Sequence, residues 1–148
     1  MLGFVVAQPF PNPAQQSGQI DNFDKYQRVK ELGRGNFGTA FLIIDKANGK
    51  ELVYKKIQCH TSKEEDELRK ETIIMNDLKH PNIVGLIEAF THDGNFYIVM
   101  ELCNGGSLQS FYKALMKKGE FVREEDVWKF IFQMASSLGY LHQRRILH

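Results

Sequence analysis

Leu32-Gly33-Arg34-Gly35-Asn36-Phe37-Gly38-Thr39-Ala40 spaces three glycines as G-x-G-x-x-G, and its flanks decide the fold. The string alone is weak, because dinucleotide-binding folds use it between a strand and a helix. Here it is followed by Phe41-Leu42-Ile43-Ile44-Asp45, an apolar, β-branched run too short for a helix and closed by Asn48-Gly49. Tyr26 to Leu32 leads in as a strand. The glycines are therefore expected to cap a hairpin, where bare backbone can lie close over a triphosphate.

Working outward, Glu51 to Ile57 reads as a third strand and Glu64 to Leu78 as a helix, stopped by His80-Pro81-Asn82. Ile83–Phe90 and Asn95–Leu102 read as two more strands, joined through Asp93-Gly94, a good hairpin signal. Five strands and one helix predict a small antiparallel α+β lobe over residues 23–103. Asn104-Gly105-Gly106 is a flexible joint. Residues 104–148 carry two apolar stripes at helical spacing: Leu108, Phe111, Tyr112, Leu115 and Met116, then Val127, Phe130, Ile131, Met134, Leu138 and Leu141. Both read as core-packing faces that need a covering partner.

The whole chain narrows the class. At 148 residues it is of single-domain size, and 19 basic against 18 acidic residues leave a net charge of +1. No overall field draws it to nucleic acid or membrane. Cys59 and Cys103 have no ligand-like spacing and read as free thiols of a reducing compartment, cytoplasmic or nuclear. Leu2 to Ala7 is apolar but lacks a basic start and is broken by Gln8-Pro9, so residues 1–22 read as a flexible leader rather than a signal. No metal-ligand set is read in the chain.

Two charged residues stand out. Strand alternation places Lys55 on one face with Val53 and Ile57, and Lys56 on the other with Leu52 and Tyr54. An ammonium on an apolar face is costly without an anion. On the following helix Glu71 interrupts a stripe of Leu68, Met75 and Leu78. Taken together, an inward lysine and an inward glutamate are expected to satisfy each other, with the lysine still able to reach phosphate oxygens.

Gly33-x-Gly35-x-x-Gly38, Lys55, Glu71, the His80-Pro81-Asn82-Ile83-Val84 turn and the run Tyr97 to Leu108 together resemble the front half of a eukaryotic protein kinase. The likeness covers about residues 24–148. Val53-x-Lys55 and the Met100-Glu101-x-Cys103-x-Gly105-Gly106 segment resemble the NIMA-related serine/threonine kinases. The resemblance implies a kinase-like small lobe followed by the first two helices of a truncated large lobe. It implies ATP as ligand, with Mg²⁺ held by residues beyond His148, and protein substrates for a full-length form.

By position, the resemblance assigns Lys55 to the α- and β-phosphates and Glu71 to its ion-pair partner. Gly33, Arg34, Gly35, Asn36, Phe37, Gly38 and Thr39 form the loop over the phosphates. Leu32, Ala40 and Val53 would sandwich the purine, with the sizes at positions 40 and 53 exchanged relative to the usual valine and alanine. Met100 would gate the back of the pocket, and the backbone of Glu101 and Cys103 would bond the adenine edge. Met75, Leu86 and His148 match members of the family's hydrophobic stack. Ser107 stands where many relatives carry an acidic residue. The chain stops at the histidine of H-R-D, so the catalytic aspartate and the metal ligands are not among its residues. The fragment alone is expected to be inactive and, with its helices exposed, marginally folded, self-associating or dependent on a partner. The rival from another class is a non-catalytic interaction module built on the same lobe. A dinucleotide oxidoreductase is excluded because no helix follows the glycines.

Overall fold

A computed structural model describes residues 22–35 and 38–147. The expected leader to Asp21, together with Asn36, Phe37 and His148, lies outside the described residues. The chain divides into two units, one of Met1–Asp77 with Leu86–Glu101, the other of Leu78–Gly85 with Leu102–His148.

In the first unit a 3₁₀ turn, Asn22–Lys25, starting at the last residue of the expected leader, precedes β1 (Tyr26–Gly35), β2 (Gly38–Asp45) and β3 (Glu51–Gln58). Helix α1 (Ser62–Asn76) and strands β4 (Leu86–His92) and β5 (Asn95–Glu101) complete it. The five strands form one sheet in the order β1-β2-β3-β5-β4, every neighbouring pair antiparallel. The β2–β3 turn is built by Asp45, whose carboxylate accepts from Ala47 N and Asn48 Nδ2, and closes on Gly49 at φ 72°. The β4–β5 turn is Asp93-Gly94, with φ of 46° and 66°. Positive values at both central residues are the type I′ geometry that an Asp-Gly pair favours.

Several expected boundaries shift. The fourth strand starts at Leu86 rather than Ile83 and runs to His92; Ile83 N is instead used in a turn, donating to the His80 carbonyl at 3.1 Å. The fifth ends at Glu101, one residue short of Leu102. Helix α1 begins at Ser62 because Thr61 caps it, accepting from Glu64 N at 3.2 Å, while the Glu64 carboxylate accepts from His60 N at 2.8 Å. Reciprocal bonds of this kind satisfy donors that a helix start otherwise leaves orphaned. The helix ends at Asn76, with Asp77 closing it, two residues before the expected Leu78.

The register sorts the side chains. On one face lie Ile43, Leu52, Tyr54, Tyr97, Val99 and Phe90, buried together with Tyr26, and with Phe23 and Phe41 packed against them. Edge and stacked ring contacts both occur: Tyr54 meets Tyr97 edge-on at 5.2 Å and 89°, and Phe23 stacks on His92 at 4.3 Å. The other face carries Phe96 and Ile98, also buried, and receives α1.

In the second unit α2 (Leu108–Lys118) is capped by Ser107, which accepts from Ser110 N at 3.1 Å, and ends on Gly119 at φ 69°. Helix α3 (Glu124–Gln143) opens with three acidic residues that suit its positive end. The His80-Pro81-Asn82 segment is pinned to α3. Lys79 N donates to the Tyr140 hydroxyl at 2.9 Å, and the His80 Nε2 atom lies 3.1 Å from Ser136 Oγ. Phe111 of α2 meets Phe130 of α3 edge-on at 6.0 Å. Of the two stripes expected to be core, Leu141 alone is fully buried among the described residues, while Leu108, Phe111, Tyr112, Met116, Val127, Ile131, Met134 and Leu138 stay exposed. Two helices side by side have too little surface to cover both stripes.

Candidate nucleotide site

The quoted loop is the β1–β2 hairpin. Arg34 pairs with Thr39 and Gly35 with Gly38; Asn36 and Phe37, two expected loop residues, lie outside the described set. A strand, not a helix, follows the glycines, as the apolar run predicted. The three glycines serve different ends. Gly38 sits at φ 113°, and a Cβ there would stand 2.2 Å from the Lys56 carbonyl oxygen. The fold itself requires glycine at that point. Among the described residues, a Cβ at Gly33 or Gly35 would meet nothing within 4 Å, so packing against them does not explain those two glycines.

Behind the tip the register builds two ranks on one face. Ala40 opposes Lys55, which opposes Ile98, which opposes Ala89. Leu42, Val53, Met100 and Leu86 form the next rank. Opposed residues of an antiparallel pair share a face. Ala40, Val53, Lys55 and Met100 therefore stand on one surface, each half-buried, beside the glycine hairpin. Val53 lies diagonally from Ala40, so a small and a larger wall residue are neighbours. Leu32 falls at a β1 irregularity between the Glu31–Phe41 and Gly33–Ala40 pairs and is exposed. Glu101 closes β5, exposed, opposite Leu52. Cys103, exposed and with a free thiol, belongs to the second unit.

Glu71 departs from expectation. It is exposed, and the sheet-facing side of α1 is instead Glu65, Leu68, Arg69, Thr72, Met75 and Asn76, all buried or half-buried. Arg69 Nη2 donates to Glu65 Oε1 at 2.6 Å and to Thr91 Oγ1 of β4 at 2.8 Å, and the Thr91 hydroxyl donates to the same Glu65 oxygen at 2.7 Å. The bond from Thr91 first, and then the Arg69 guanidinium, hold the Glu65 carboxyl below the usual carboxylate range. The stripe of Leu68, Met75 and Leu78 missed this. The i, i+4 spacing of Glu65 and Arg69 was the available signal, but nothing local marks Thr91 as the third member. Among the described residues no group of three or more His, Cys, Asp or Glu could hold a metal ion.

Residues 26–148 match the family profile described as "Protein kinase domain". This chain belongs to the protein kinase domain family. It corresponds to the N-terminal part of that domain, a five-stranded antiparallel lobe followed by the start of the large lobe. It is 36% identical over 127 residues to the serine/threonine-protein kinase Nek1 of Mus musculus, matching 84% of this chain and 10% of that protein. It is 35% identical over 127 residues to the serine/threonine-protein kinase Nek5 of Homo sapiens, covering 84% of this chain and 18% of the relative. The cell division control protein 2 homolog 3 of Trypanosoma brucei brucei is 33% identical over 135 residues, 89% of this chain and 42% of its own length. The chain thus spans less than half of each of these kinases. The Nek names agree with the NIMA-related resemblance, and these relatives do not favour a non-catalytic module.

Proposed function

We propose that this chain carries the ATP-binding portion of a serine/threonine protein kinase, and that a protein containing it transfers the γ-phosphate of ATP to protein hydroxyls. One observation supports this above the others. Gly33 and Gly35, where a Cβ would meet nothing among the described residues, stand in a hairpin whose neighbouring face presents Lys55 among Ala40, Val53 and Met100. A triphosphate fits that chemistry. Bare backbone permits close approach, a lysine supplies charge-assisted bonds to phosphate oxygens, and small and medium apolar side chains suit a purine face.

Lys55 would hold the α- and β-phosphates. Glu101 and Cys103 would contribute backbone groups to the adenine edge, and Glu71 would be the partner of Lys55. Bound Mg²⁺ neutralises phosphate charge in such sites, and among the described residues no group of three or more His, Cys, Asp or Glu could hold it. Two cysteines with no disulfide between them suit a reducing compartment, cytoplasm or nucleus; among the described residues no helix is long and apolar enough to cross a membrane.

The test is calorimetric titration of the chain with ATP and Mg²⁺. Lys55→Met should weaken binding by about 1.5–3 kcal/mol, the worth of one charge-assisted contact, whereas Lys56→Met should change it little. Equal losses would place the phosphates elsewhere.

A further inference from the structure

The sheet face opposite Lys55 carries a rank of its own beside the glycine hairpin. Arg34 of β1 pairs with Thr39 of β2, Thr39 with Lys56 of β3, and Lys56 with Tyr97 of β5. Opposed residues of antiparallel strands share a face. This one is the aromatic face, because Phe41 and Tyr54, two residues along from Thr39 and Lys56, meet there. Arg34 keeps to it through its contact with Glu31, which pairs with Phe41. The strands approach closely here: the Lys56 carbonyl oxygen fills the space where a Cβ on Gly38 would stand. With neighbouring strands about 4.8 Å apart, Thr39 stands midway between two cations whose backbones are about 10 Å apart. Neither cation is closely neutralised. Among the described residues Lys56 has no ion pair, and Arg34 comes no nearer than 3.9 Å to Glu31, its side chain 75% exposed. Other cations of the same lobe meet carboxylates more closely, Lys25 at Glu88 and Arg69 at Glu65. In this rank a hydroxyl stands where a carboxylate would.

We propose that Thr39 is a phosphorylation site and that Arg34 and Lys56 are the residues that receive the phosphate. The inference goes beyond the nucleotide reading, because this face is turned away from Lys55. A protein kinase acting in trans supplies the group. Thr39 Oγ1 bonds the γ-phosphorus of ATP, the bond from that phosphorus to the bridging oxygen breaks, ADP leaves, and the hydroxyl proton passes to a carboxylate of that kinase. The threonine is half-buried at the end of the ladder, with only the Gly35–Gly38 pair beyond it. Phosphothreonine carries about −1.5 to −2 charges at pH 7 and three strong acceptor oxygens. Placed between Arg34 and Lys56 it forms charge-assisted bonds to both, and repulsion between the cations gives way to attraction. Three strands are then tied together beside the glycines.

The test uses the full 148-residue chain with phosphothreonine encoded at position 39. Its melting temperature should exceed that of the unmodified chain by at least about 3 °C. With Arg34→Met and Lys56→Met together, the same phosphate should give no rise. A purified protein phosphatase should remove it at least about fivefold more slowly from this chain than from the double variant, because a held phosphate is reached only on local opening. Use of the site is checked by peptide mapping of the chain recovered from insect cells grown with a phosphatase inhibitor, with Thr39→Val as the blank. Phosphate on the Thr39 peptide is the expected result. An unmodified Thr39 in that sample would overturn the proposal. A phosphothreonine that leaves the melting temperature unchanged or lowers it would do the same. So would a stabilisation that survives the loss of both cations, since other groups would then hold the phosphate. Arg34 is exposed and Lys56 half-buried, so methionine at both keeps the stems and leaves the sheet intact.

Discussion

The Tyr26 hydroxyl donates to the Glu88 carboxylate, joining the first residue of β1 to β4, the two outermost strands of the sheet. Lys25 Nζ reaches the same carboxylate at 3.3 Å, and the Tyr26 ring stacks over Phe90 at 6.5 Å. A five-stranded sheet whose edges meet must curl strongly, and the curl encloses the aromatic core. The charged acceptor is itself largely shielded, with Glu88 18% exposed.

Tyr26→Phe should therefore cost about 1.5–3 kcal/mol, the range for a hydrogen bond to a charged group. Urea unfolding followed by far-UV circular dichroism measures it, and hydrogen exchange should show the loss concentrated at the start of β1. Burial first, then the bond to Glu88, push the Tyr26 phenol well above its usual value of 10.0. The unfolded chain then releases this proton at lower pH than the folded one, so stability falls as pH rises above about 10. In Tyr26→Phe that fall should shrink. An unchanged alkaline limb would mean the phenol is not held this way.

Acid should act where Glu65 of α1 meets Arg69 and Thr91. The folded Glu65 carboxyl sits below its usual 4.5, so its contribution is complete above that value and is lost as pH falls through the folded value. Glu65→Gln should flatten the stability profile below about pH 4.5 and leave it unchanged near neutrality in slope. A variant with the parent's acid limb would assign that limb to other carboxylates.

Much of this was legible beforehand, and the exceptions share one cause. The glycine hairpin, the Asp93-Gly94 turn and the face of Lys55 follow from local chemistry and from the period of two. Glu71 did not follow, because a helix stripe of Leu68, Met75 and Leu78 gives an azimuth only if apolar contacts set it. Here the helix also bonds the sheet through Arg69 and Thr91, 22 residues apart. The curl of the sheet was equally hidden, since the Tyr26–Glu88 bond spans 62 residues. The differing roles of the glycines needed coordinates as well, because sequence shows the same residue three times.

Those roles separate under mutation. Gly38→Ala should destabilise the lobe by more than about 1 kcal/mol, from left-handed backbone strain and the clash with Lys56. Gly33→Ala should leave the melting temperature nearly unchanged and act on nucleotide affinity alone. Thermal unfolding with and without ATP separates the two. A Gly33→Ala variant that melts like Gly38→Ala would show that packing does constrain Gly33.

Ala40 and Val53 share a face as diagonal neighbours, which gives the exchanged wall sizes a geometric basis. Ala40→Val should crowd the purine slot, because Val53 already takes the larger volume. Adding Val53→Ala should return affinity to within about twofold of the parent. ATP titration of the single and double variants checks it, and a single variant that binds normally would end the compensation idea.

The 148 residues by themselves should transfer no phosphoryl group. Such transfer needs a metal held at the β- and γ-oxygens, a carboxylate that orients the hydroxyl nucleophile, and a surface that holds the acceptor in line. The face bearing Lys55 supplies a cation and apolar walls, and among the described residues no cluster of three or more metal-ligating side chains accompanies it. The second unit adds a further constraint. Trp128 and Phe132 are 60% and 73% exposed, and Val127, Ile131, Met134 and Leu138 are exposed with them. Covering large apolar side chains is worth about 1.5–3 kcal/mol each, against a typical domain stability of about 5–15 kcal/mol. The isolated chain should therefore self-associate through α3, with an apparent mass in sedimentation that rises with concentration. Phe132→Glu should return it toward a monomer without affecting ATP affinity. Activity is checked with labelled ATP, Mg²⁺ and a generic acceptor protein, alongside Lys55→Met. Label incorporation that vanishes in that control would show that these residues contain a route to catalysis of their own.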